Sequence, residues 1–168
     1  MSESPRDAAP EVAPQGIASL LDRLHRDKGD PEDPEWNVVA RKRVLPDRWT
    51  VVQGSHYTLT FPPGAVSATV EITIRERDPL VIDVELGPDG TRFHAPVKLE
   101  IDYRGTTADV FSRHWDGTLP VLYLLDESTG LWQLLGGVNN ALARRYTIDL
   151  EHFSRYAFRP PQGTAGWN

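Results

Sequence analysis

The 168-residue sequence contains no cysteine. That excludes disulfide staples, thiolate nucleophiles and cysteine-based zinc sites, and suits a cytoplasmic protein. Long hydrophobic runs are missing too: no window approaches the roughly 18 apolar residues of a membrane-spanning helix. Residues 1–14 are polar, acidic and rich in proline and alanine. They lack the charged-then-apolar layout of a signal peptide, so export by that route is not expected. Nor is there a basic face. Residues 1–34 carry four Lys/Arg against eight Asp/Glu and the remainder fourteen against sixteen, which splits the net charge of -6 into -4 and -2. A nearly neutral body has little to neutralise phosphates with, and speaks against a nucleic-acid partner. No G-x-S-x-G elbow, P-loop or dinucleotide fingerprint occurs, so no cofactor is expected.

What is present divides into an arm, a body and a tail. Residues 1–34 form the arm, in which Ile17, Leu20, Leu21 and Leu24 stand at the i, i+3, i+4, i+7 spacing of a short amphipathic helix stopped by Gly29, Asp30 and Pro31. Such a stripe caps the domain, frays in solvent, or docks into a partner's groove. Residues 35–159 switch to period-two alternation. Tyr57, Leu59 and Phe61 share one face, as do Val70, Ile72 and Ile74, then Ile82, Val84 and Leu86, then Val97, Leu99, Ile101 and Tyr103. Turn residues fall between these runs. Pro62-Pro63-Gly64 suits a type II turn, Gly87-Pro88-Asp89-Gly90 a type I turn, and Asp126 to Gly130 a hairpin loop. About nine short strands so separated predict an all-β antiparallel sandwich. Residues 104–118 read as a long surface loop, and 160–168, opened by Pro160-Pro161, as a tail.

Phe61-Pro62-Pro63-Gly64-Ala65-Val66, then Gly87-Pro88-Asp89-Gly90-Thr91-Arg92-Phe93 and Pro96-Val97-Lys98-Leu99, resemble the turn and strand signatures of ZU5 domains. The resemblance covers roughly residues 45–158 and is densest between Tyr57 and Tyr103. It implies a β-sandwich serving as a protein-interaction or adaptor module. It also draws attention to His152-Phe153-Ser154, because some ZU5-like modules cleave themselves before the serine of a His-Phe-Ser sequence. In that chemistry Ser154 Oγ attacks the carbonyl of Phe153, the acyl group shifts from nitrogen to oxygen, and water hydrolyses the ester, with His152 as base. The same residues also read as a final aromatic strand that closes the core. If the chain has any activity, it is this single turnover.

The remaining candidates are weaker in pattern. His25, His56, His94 and His114 have no metal-ligand spacing, and the Asp78, Asp83, Glu85, Asp89 run lacks the EF-hand order, so no metal site is expected. Glu100 and Asp102 alternate with Leu99, Ile101 and Tyr103, as solvent-facing residues do. Trp132, in an alternating strand, is assigned to the core. Arg113, His114 and Trp115 sit in the irregular stretch, where an aromatic beside an arginine is typical of binding hot spots. Alternatively Trp115 folds back over the sheet edge. The leading expectation is a partner protein bound near Trp115. The competing one is self-cleavage between Phe153 and Ser154, and a third is carbohydrate or envelope binding.

Overall fold

The computed structural model describes residues 35–158. The arm with its Ile17–Leu24 stripe, and the tail, lie outside the described residues. Among the described residues no helix is long and apolar enough to cross a membrane.

Among the described residues eleven strands form two antiparallel sheets, consistent with a β-sandwich. They are β1 (Asn37–Val44), β2 (Thr50–Gly54), β3 (Tyr57–Phe61), β4 (Val70–Glu76), β5 (Asp83–Gly87), β6 (Arg92–Asp102), β7 (Tyr123–Asp126), β8 (Leu131–Leu134), β9 (Val138–Asn140), β10 (Arg145–His152) and β11 (Arg155–Ala157). One sheet runs β1-β4-β5-β11-β7-β8, the other β2-β3-β6-β10-β9. The alternation places the core as the sequence suggests. Tyr57, Leu59, Phe61, Val97, Leu99 and Ile101 line the inner face of the second sheet, and Ile72, Ile74, Val84 and Leu86 that of the first, all fully buried. Burying side chains of this size contributes roughly 1.5–3 kcal/mol each.

Two turns show how backbone chemistry sets the strand ends. At Pro62-Pro63-Gly64 the Ala65 N–H donates to Pro62 O at 3.1 Å with Gly64 at φ 81°, the expected type II geometry. The second turn closes one residue later than expected. Thr91 N–H donates to Pro88 O, and Gly90, at φ 71°, occupies the left-handed corner instead of trailing a type I turn. There are also two more strands than the alternation indicates. Among those the alternation does not single out, β9 has only three residues, too short for a period to register.

Trp132 is a correction. It stands on β8 opposite Leu125, and its ring stacks on Arg155 with 5.3 Å from guanidinium to ring centroid. Tyr156 is buried in the core, so its neighbour Arg155 projects from the opposite, outer face. Trp132 therefore lies outside the sandwich, half-buried by a cation–π contact rather than by the core.

Candidate functional site

Phe153 and Ser154 belong to no strand, and His152 is the last residue of β10. β10 ends at His152 in one sheet and β11 begins at Arg155 in the other, so Phe153 and Ser154 are the step by which the chain crosses the sandwich. Phe153 plugs the step. It is buried edge-on against Phe93 (4.8 Å between centroids) and Phe61 (6.2 Å). Four polar groups of the step are tied to neighbouring segments. Tyr156 Oη donates to His152 O at 2.7 Å, and Phe153 N–H donates to Thr91 O at 2.9 Å. Leu86 N–H donates to Ser154 O at 3.1 Å, and Ser154 Oγ donates to Leu125 O at 2.7 Å. A chain leaving one sheet must still satisfy its backbone groups, and these bonds hold His152 O, Phe153 N–H and Ser154 O.

His152 Nδ1 lies 3.1 Å from Phe153 O, while the Ser154 hydroxyl is committed to Leu125. The imidazole thus stands at the carbonyl oxygen of the candidate bond. As an Nδ1–H tautomer it polarises that carbonyl, and attack by Ser154 Oγ requires the hydroxyl to leave Leu125 O.

The step floors an open cleft of about 420 Å³, rimmed by Asp89, Arg92, Glu127 and Gln133. Two turns meet here: Asp89, after β5, shares a hydrogen bond with Glu127, after β7. Two carboxyl groups bond to each other only when one holds a proton. That bond, then desolvation, then the charges of Asp89 and Glu85, push the Glu127 carboxyl up to about 7. Burial and then the negative charge of Asp89 push the Tyr156 phenol up, so it remains a donor to His152 O. No sequence pattern links Asp89 to Glu127, since neither turn encodes its distance from the other.

The second candidate region is the connection between β6 and β7, residues 103–122. It has no regular structure, yet it is tied down throughout. Asp109, 2% exposed, accepts from Gly105 N–H at 2.9 Å and Phe111 N–H at 3.0 Å, and its carboxylate stands 3.6 Å from Arg144. Thr106 Oγ1 donates to Tyr103 O, and Ser112 Oγ to Gly105 O. Asp116 N–H reaches back to Thr107 O, while Thr107 N–H fixes the loop to Leu80 O. From this scaffold Val110 (59%), Phe111 (76%), Trp115 (51%) and Leu119 (67%) project into solvent. Trp115 is thus half exposed rather than folded away. Arg113 Nε donates to His114 Nε2 at 3.1 Å, and Arg144 covers one face of Phe111 at 5.7 Å. Arg113, His114 and Trp115 were legible as candidates. Phe111 and Leu119 were not, although apolar residues scattered without period through a polar stretch are a signal in themselves.

The other titratable candidates serve the framework. His56 places its two ring nitrogens 2.7 Å from Asp102 O and Pro79 O. Glu100 pairs with Arg145 and Asp102 with Arg104, so these two carboxylates are held apart by separate cations. On the outer face, Glu85 pairs with Arg75 and Asp83 with Arg155. Among the described residues no group of three or more His, Asp or Glu converges to hold a metal ion. No protein-family model matches the sequence, and no curated protein matches it.

Proposed function

We propose that this chain is a ZU5-like protein-interaction module whose contact surface is the loop between β6 and β7. The observation that carries the reading is the exposure of Val110, Phe111, Trp115 and Leu119 on a backbone fastened by Asp109, Thr106, Ser112 and Asp116. A loop rigid before binding loses little conformational entropy on association, and exposed aromatics beside arginines supply the anchors. The sandwich contributes a stiff base. The partner that fits is another protein offering an apolar pocket to Phe111 and Trp115.

The test replaces Trp115 with a photo-crosslinking residue in the full-length chain and compares Phe111→Ala and Asp109→Ala in that background. A discrete protein adduct is expected, weakened at least about tenfold by Phe111→Ala at unchanged folding stability, because a buried anchor contributes on the order of 2 kcal/mol. An adduct pattern indifferent to Phe111 and Asp109 overturns the reading.

A second reading, self-cleavage between Phe153 and Ser154, is favoured by His152 Nδ1 at the carbonyl oxygen of Phe153. Intact-mass measurement on the purified chain after prolonged incubation decides it. Two fragments divided before Ser154, abolished by Ser154→Ala, support cleavage; a single full-length species removes it.

A further inference from the structure

We propose that the free edge of β8 accepts an extended segment of a partner polypeptide as an added strand, with apolar residues facing the sandwich and basic residues at its ends. Among the described residues β8 pairs on one side only, with β7. The phase of its ladder follows from one bond outside the strands: Leu135 N–H donates to Leu122 O at 2.9 Å. Hydrogen-bonded pairs alternate along an antiparallel ladder, so Gln133 and Leu131 face β7. The N–H and C=O groups of Trp132 and Leu134 therefore point outward, two donors and two acceptors in the spacing an incoming strand requires.

The other exposed edges are guarded, and this one is not. β1 carries Arg41, Lys42 and Arg43 and a register shift between Val38 and Ala40. β2 lies against β1: Lys42 Nζ donates to Val51 O, and a Cβ on Gly54 would meet Val39 O at 2.5 Å. β9 has only three residues, and Tyr103 Oη engages the side chain of Asn139. β8 and its continuation to Val138 contain no charge, no proline and no register shift, and Leu134 is 65% exposed. Charges, bulges and cover are what keep sheet edges from pairing, and their absence from a single edge marks a pairing site.

The chemistry of the occupant follows from what lies inward of that edge. At Leu135, where the chain leaves β8, a gap of about 170 Å³ opens between the sheets, lined also by Leu124 of β7 and by Ile148 and Leu150 of β10. Leu135 and Ile148 pack on the core but remain partly exposed, so inward side chains of an added strand would complete their burial. Asp149 and Glu151 flank this gap, and Asp126 stands at the hairpin end of the edge. Lysine or arginine ends complement that charge.

The probe is a capped heptapeptide of alternating valine and threonine with a lysine at each end, added to the full-length chain while amide exchange is followed by NMR. Saturating peptide is expected to slow exchange at Trp132 and Leu134 at least tenfold. A glutamate-ended version should bind more weakly, and an alternately N-methylated version not at all. Leu134→Pro removes an outward donor at a position that makes no ladder bond to β7, and should lower affinity at least tenfold. Unprotected amides at saturation, or equal binding by the N-methylated peptide or by Leu134→Pro, overturn the proposal. A peptide-independent dimer abolished by Leu134→Pro also overturns it, assigning the edge to a second copy. The surface is distinct from the loop at Phe111 and Trp115, so each assignment can fail while the other stands.

Discussion

Replacing Phe153 with alanine is expected to destabilise the sandwich by about 3–5 kcal/mol, the usual cost of emptying a buried phenylalanine site. Phe153 is 1% exposed and meets Phe93 and Phe61 edge-on, with Phe61 and Phe93 themselves 5.8 Å apart at 85°. The three rings close a triangle where the chain changes sheets, and each edge-to-face pair adds about 0.5–1.5 kcal/mol beyond area burial. The backbone at the step is already bonded to Thr91, Tyr156 and Leu86, so it cannot collapse into the void. Against a total stability of order 5–15 kcal/mol this is a large fraction, and Tm should fall by about 10–20 °C. Phe153→Leu should recover most of the loss. Denaturant unfolding of the two variants decides the matter; a cost below about 1 kcal/mol for the alanine variant would mean that the step is not packed as the rings indicate.

This cost governs how any experiment on the tripeptide is interpreted. A Phe153→Ala protein that fails to be cleaved has lost its core, not its chemistry. Ser154→Ala is the cleaner change. It removes one donor to Leu125 O, at about 1–3 kcal/mol if that carbonyl stays unsatisfied, and leaves the aromatic triangle in place.

Much of the sandwich was legible because one face of each long strand is buried. Tyr57-Leu59-Phe61 and Val97-Leu99-Ile101 alternate cleanly, and their inward residues are the core. The step at 153–154 was not legible as a step. Its trace is a change of spacing, since Leu150, Phe153 and Tyr156 are buried three apart rather than two. An aromatic strand and an aromatic crossover share that composition. The Asp89–Glu127 contact and the stacking of Trp132 on Arg155 were also hidden, because each joins segments whose proximity only the folded sheets create. The loop was placed close to its true limits, 104–118 expected against 103–122 observed, from its lack of period. Its rigidity, however, rests on the side chains of Asp109 and Thr106 bonding to nearby backbone, and sequence spacing alone does not distinguish such a loop from a mobile one.

Removing Arg155 is expected to cost about 3–5 kcal/mol, because it strands a buried charge. Its guanidinium forks onto Asp83, Nε to Oδ1 at 2.8 Å and Nη2 to Oδ2 at 2.6 Å, with the two side chains only 14% and 13% exposed. The same guanidinium lies between two indoles, 5.1 Å from Trp36 and 5.3 Å from Trp132, and Arg77 stacks on Trp36 at 4.5 Å. Arg155→Ala leaves Asp83 desolvated beside Glu85 and lets both indoles lose a face. Arg155→Lys keeps the charge but neither the fork nor the stacking plane, so it should recover only part of the loss. Replacing both partners, Asp83→Leu with Arg155→Met, removes the charges together and should be far milder than Arg155→Ala alone. A double-mutant cycle by denaturant unfolding measures the coupling; near-additive single variants would mean that the pair is effectively solvated. The stack also fastens β8 to β11 across the outer face through Trp132. Arg155→Ala should therefore speed amide exchange along β8 more than along β3, and weaken strand addition at Leu134 without touching that residue.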